Sequence, residues 1–146
     1  MSRIDYFEIE TEIAEILKAD ATIGGVQVTV EDDLNLEVGP WVSIYLERRD
    51  PTAGQPLAAG TRTRMQLRFS IWCWQYSLDS ITEACKNRDD LVGKVEVVLM
   101  ANRSLNSKVN YSWLEGGEIQ SARVPDTSGY VAGGEVVVIA EVMAST

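Results

Sequence analysis

Glu31-Asp32-Asp33 and Asp89-Asp90 are the densest clusters of groups in this chain that could hold a hard cation. Neither has the alternate-position ligand pattern of a calcium loop, so both read as solvated turn or helix surface. Cys73 and Cys85 have no CxxC partner, and the chain contains no histidine. That removes the commonest general base, the Ser-His and Cys-His nucleophile pairs, and the commonest transition-metal ligand. The phosphate-cradling patterns GxxxxGKS/T and GxGxxG are absent as well. Two cysteines make no disulfide framework, and in a reducing compartment each reads as a small buried hydrophobe. The residues therefore imply no metal and no cofactor, and nothing in them selects an enzyme.

What remains is chemistry of association. The net charge is −9, unevenly spread: residues 1–40 carry ten acids against Arg3 and Lys18, while residues 48–68 carry five arginines against Asp50. An acidic chain does not hold nucleic acid tightly through phosphate contacts. A molecule acidic in one region and basic in another is suited to docking onto copies of itself. Glu8, Glu12 and Glu15 on one side, and Arg48, Arg49, Arg62, Arg64 and Arg68 on the other, are the natural opposites. Solubilising surface charge explains the same residues equally well. A second feature lies in RMQLRFSIWCWQY, residues 64–76. Met65, Leu67, Phe69, Ile71 and Cys73 alternate with Arg64, Gln66, Arg68 and Ser70, the pattern of a strand with one wet face. The polar parity then continues as Trp72 and Trp74. Paired indoles there fit an interface hot spot, or else a helix of the same chain folds over them.

The elements that position these groups follow from periodicity. Ile9, Ile13, Ile16 and Leu17 recur at helical spacing over residues 5–19, with Asp5 as N-cap and acids toward the positive end of the helix dipole. Val26, Val28 and Val30 alternate as a short strand. WVSIYLERR forms a second, and residues 64–76 a third, with DPTAGQPLAAGT (50–61) as a long loop between antiparallel neighbours. Residues 78–101 have helical spacing, with Ser77 as N-cap, although VEVV (95–98) also has strand propensity. VNYSWLE, then EIQSARV returning after Gly116-Gly117, reads as a hairpin. PDTSGYVAGG (125–134) reads as a loop, and EVVVIAEVMA as an apolar strand inside the sheet. With 146 residues, 45% of them apolar, the chain is long enough to bury one core. No linker divides residues 1–146, so the expected fold is a single α+β domain. It has a small, mainly antiparallel sheet, an N-terminal helix and a second long helix packed on it, and a long hairpin loop. No apolar run reaches the length of a membrane span. The start, MSRIDYFEIE, lacks the basic and apolar regions of a signal peptide, which reads as a cytoplasmic chain.

This order of elements resembles the tail terminator (tail-completion) proteins of long-tailed bacteriophages. The likeness rests on the amphipathic DYFEIETEIAEILKAD helix, the short strand after it, and the WVSIYLERR–RMQLRFSIWCW hairpin with its extended loop. A helix directly after the third strand and the closing EVVVIAEVMA strand complete it. It covers nearly the whole chain and is carried by length, element order and hydrophobic pattern, without a short signature motif. The resemblance implies a non-enzymatic virion protein of the tail or neck, assembled in the host cytoplasm. Six copies would form a ring that caps the tail tube, ends its polymerisation and joins the head's connector protein. DNA would cross the channel without specific binding. Subunit contacts would come from the charged residues above with Trp72 and Trp74, and from Pro51, Gln55, Pro56 and Leu57 in the hairpin loop, against a neighbour or the tube. Two readings stand beside this one: another neck, connector or tail-tube subunit, and a small binding module using the Trp72/Trp74 face.

Overall fold

The computed structural model describes residues 4–32, 39–51, 62–123 and 129–145, with the backbone alone at 62, 63, 123, 144 and 145. Helix α1 spans Tyr6–Ala19, and a 3₁₀ turn follows at Ala21–Ile23. Strands β1 (Gln27–Val30), β2 (Trp41–Pro51) and β3 (Arg62–Ser77) come next. Helix α2 (Ile81–Met100) precedes β4 (Tyr111–Glu115), β5 (Ile119–Arg123) and β6 (Tyr130–Ser145). The result is an α+β fold in which six strands form one mixed sheet, ordered β1-β2-β3-β6-β4, with β5 also on β6. Apart from the parallel β1–β2 pair, the strand pairs are antiparallel.

Local chemistry sets the helix ends. The Asp5 carboxylate accepts from the Glu8 amide at 3.0 Å, and the Ser80 hydroxyl accepts from the Glu83 amide at 3.0 Å, each satisfying an orphan donor of the first turn. At the end of α1, Asp20 turns out of the helix. Its carboxylate accepts from the hydroxyl and amide of Thr22, contacts that hold its pKa below the ordinary value.

Both helices lie on one face of the sheet. Ile9, Ile13 and Leu17 of α1 and Leu91, Val95, Val98 and Leu99 of α2 share a core with Met65, Leu67, Phe69, Ile71 and Cys73 of β3. Val136, Val138 and Ala140 of β6 complete it. Burying an apolar side chain of this size stabilises by about 1.5–3 kcal/mol. Five consecutive odd positions of β3 therefore fix its parity and leave the indoles on the other face. β6 lies between β3 and the β4–β5 edge. Its Val137 and Ile139 are buried on the face away from the helices too, which accounts for the nearly unbroken apolar run.

The helix expected over 78–101 does run to Met100, and three other expectations change. Residues 95–100 are helical, with Val95, Val98 and Leu99 turned into the core, so the strand propensity of VEVV is overridden by packing. The cap of α2 is Ser80. β3 runs on to pair Ser77 with Tyr130, and Ser77 Oγ accepts from the Asp79 and Ser80 amides, leaving Leu78 exposed outside the helix. EIQSARV does not return along VNYSWLE: β4 and β5 both run antiparallel to β6, one after the other, as a single edge interrupted at Gly116-Gly117. Within β4 it is Ser112 that is buried, its hydroxyl donating to the Arg103 carbonyl, while Tyr111 is exposed. Finally, residues 130–134 are strand. Gly133 and Gly134 mark close approaches rather than a turn: a Cβ at Gly133 would lie 2.4 Å from the Trp74 ring, and one at Gly134 2.7 Å from Val92 of α2.

Candidate interaction surface

The face of the sheet away from the helices brings together most of the residues singled out from sequence. Pairing places Arg64, Gln66, Arg68, Ser70, Trp72 and Trp74 on it from β3, and Arg48, Tyr45, Ser43 and Trp41 from β2. β6 contributes Glu141, Ile139, Val137 and Glu135. Among the described residues no helix covers the indoles. Trp72 and Trp74 are half-buried and stack on each other, centroids 5.3 Å apart and planes 18° from parallel. Stacked aromatic pairs of this kind stabilise by about 0.5–1.5 kcal/mol beyond their buried area. Trp74 lies against Gly133, where a side chain would displace the ring.

One end of this face is closed by its own chain. Trp41 is buried, and its indole N–H donates to Thr29 Oγ1 at 2.8 Å. The Tyr45 hydroxyl donates to the Asp32 carbonyl at 2.7 Å. The middle holds a groove of about 630 Å³ bordered by Tyr45, Glu47, Arg68, Ser70, Trp72, Glu118 and Glu135, with Gly117 at its rim. Glu135 is held there by the Ser70 hydroxyl, which donates to Oε2, and by the Glu118 amide, which donates to Oε1 at 3.2 Å. Through these two contacts Glu135 of β6 bridges β3 and the break between β4 and β5. Among the described residues, no group of three or more Asp, Glu or Cys side chains converges as a metal site. No helix there is long and apolar enough to cross a membrane.

The arginines separate. A bulge between Leu46 and Arg48 puts two residues of β2 opposite one of β3, so parity flips. The shift brings Arg48 onto the open face, 3.1 Å from Asp50, and turns Arg49 to pair with Leu67 on the helix side, where it lies 5.5 Å over the Tyr6 ring. Arg68 bridges Glu47 at 3.0 Å and Glu115 at 3.3 Å. Arg64 is half-exposed and 4.0 Å from Glu141. The acids of α1 lie on the opposite side of the molecule and also have partners. Glu8 pairs with Lys108, raising that amine's pKa; Glu12 accepts from Asn106; Glu15 is 3.5 Å from Lys18. Pro51 is exposed at the end of β2. Gln55, Pro56 and Leu57, and the Arg62 side chain, lie outside the described residues, as does Asp33.

Two buried charged residues escaped the sequence reading. Arg88 of α2 is 7% exposed, with Nε 2.9 Å from Asp89 and Nη1 donating to the Gln120 carbonyl at 3.2 Å, which ties α2 to β5. Glu10 is 3% exposed, and its Oε2 has no hydrogen-bond partner among the described residues. The signal for Glu10 was available: it falls at i+4 from Tyr6 and three before Ile13, inside the apolar stripe of α1.

No protein-family model and no curated protein matches this chain. Solved structures similar to it include the following two. One is from the sheath/tube terminator of an extracellular contractile injection system, PVC, in its extended state, at 12% identity and a TM-score of 0.49. The likeness covers 100% of this chain, which spans 59% of the length of that one. The other comes from the virion of a native gene transfer agent particle, at 12% identity and a TM-score of 0.43, covering 90% of this chain and 93% of that one.

Proposed function

We propose that this protein is a structural, non-enzymatic virion component of the tail-terminator kind. Copies of it close into a ring, hexameric by the sequence resemblance, that caps the tail tube, stops its growth and meets the head connector. DNA crosses the acidic channel without being held. The observation that supports this best is the bare sheet face. It presents stacked indoles and arginines on one side of the molecule, while the acids of α1 lie on the other. A ring requires a heterologous contact, one patch against a different patch on the neighbour. Two different surfaces on opposite sides, one of stacked indoles with arginine–carboxylate pairs and one of helix acids, suit that. The partners these charges have within the chain do not oppose it, because exposed ion pairs contribute about 0–1 kcal/mol and exchange readily.

Negative-stain microscopy and light scattering of the purified protein, alone and with tail tubes, test the reading. Rings, and tubes that stop elongating, are the expected outcome. Long filaments from the protein alone would instead identify a tube subunit. The groove beside Trp72 favours one further reading, a binding module; a strict monomer that leaves tubes free to grow would point there and end the ring proposal.

A further inference from the structure

Glu10 is the one buried carboxyl among the described residues with an unpartnered oxygen. It faces Glu31, a residue in the left-handed region (φ 52°) just after β1. Glu31 Oε1 accepts from the Leu46 amide of β2 at 3.2 Å. Three elements therefore converge on two carboxyls: α1 brings Glu10, the end of β1 brings Glu31, and β2 brings a backbone donor. We propose that Glu10 and Glu31 form a proton-shared carboxyl latch that holds α1 against the β1–β2 edge and loosens when both groups ionise.

The physical case is one of desolvation and like charge. Glu10 is buried while Glu31 is exposed. Charge on Glu10 is opposed both by its own burial and by the Glu31 carboxylate beside it, so Glu10 is the one that retains the proton. Burial, then the Glu31 charge, raises the Glu10 pKa from its ordinary 4.5 to about 7, with the Leu46 amide acting the other way. The other groups at this corner are Tyr6, one helical turn earlier, and Arg49, whose guanidinium lies over the Tyr6 ring. Among the described residues the charge that acts on Glu10 is that of Glu31. The sign is then fixed. Folding holds the proton more tightly than the unfolded chain does, so the latch is at full strength below about pH 4.5 and is lost as pH rises through about 7. Apolar contacts of Ile9, Ile13 and Leu17 remain above that pH, so the expected change is local opening of α1 rather than unfolding. This inference is independent of what the protein caps or binds.

The test is hydrogen exchange of α1 amides against α2 amides in the full chain at pH 5.5 and pH 8, corrected for intrinsic rates, alongside a carboxyl-carbon NMR titration of Glu10. The expected result is at least a several-fold loss of α1 protection at pH 8, no change in α2, and a Glu10 midpoint well above that of an ordinary glutamate. Glu10→Gln should hold α1 equally protected at both pH values. Glu31→Gln should lower the Glu10 midpoint, which keeps the question answerable if Glu10→Gln folds poorly. A Glu10 midpoint near 4.5, or α1 protection unchanged between the two pH values, would overturn the latch.

Discussion

At the scale of single residues, Gly117 and Gly133 show how backbone approach constrains this sheet. A Cβ at Gly117 would lie 2.1 Å from the Glu135 carbonyl oxygen, where the obstacle is main chain and has nowhere to move. At Gly133 the obstacle is the Trp74 ring, and at Gly134 it is the tip of Val92. Overpacking a filled site costs about 1–3 kcal/mol. Gly117→Ala and Gly133→Ala should therefore each lower stability by about that much in denaturant titrations, with Gly134→Ala costing less, because the Val92 tip belongs to a side chain that can shift. Near-ultraviolet circular dichroism separates the first two: only Gly133→Ala should alter the coupled signal of the stacked indoles. An unchanged spectrum would mean that Trp74 does not rest on Gly133.

At the scale of elements, α2 carries Gly93 in its interior, where a Cβ would have no atom within 4 Å. Glycine there contributes only unfolded-chain entropy, and Gly93→Ala should raise stability by about 0.5–1 kcal/mol in the same titrations. A loss would mean that the position meets something beyond its own chain. The same helix shows where sequence reading reached and where it stopped. Its apolar spacing marked residues 78–101 as helical, yet the start lay three residues later. How far β3 continues is decided by its pairing with β6, a partner more than fifty positions away in the chain. The β4–β5 edge makes the same point. Gly116-Gly117 is a sound turn signal locally, but β6 is long enough to pair both segments in succession, and the sheet edge took that option.

At the scale of the whole molecule, the question is how two unlike surfaces meet between copies. Arg64 is the sharpest probe, since it is half-exposed, with one weak contact to Glu141. Arg64→Glu should weaken self-association at low salt, where surface charge acts over the longest range. Stability should change by no more than about 0.5 kcal/mol, as expected of an exposed site. Arg68→Glu serves as the contrast, because it also breaks the Glu47 and Glu115 bridges of the sheet face. Analytical ultracentrifugation across a salt series distinguishes the two. If association is untouched by Arg64→Glu even at low salt, the arginine face is not the contact.

Periodicity and composition alone determined the element order, the inward parity of β3, the interior position of β6, and the α+β class. Each follows from repeating apolar spacing, which is local information. The tertiary structure decided what local patterns cannot contain. It placed the helices on the face away from Trp72 and Trp74, flipped Arg49 to that helix face through a bulge, and put Glu10 against Glu31. These outcomes depend on which strands pair and in what register. A one-residue shift in register carries every side chain to the other face. That is why the residues of the candidate surface were legible in the sequence while their arrangement was not.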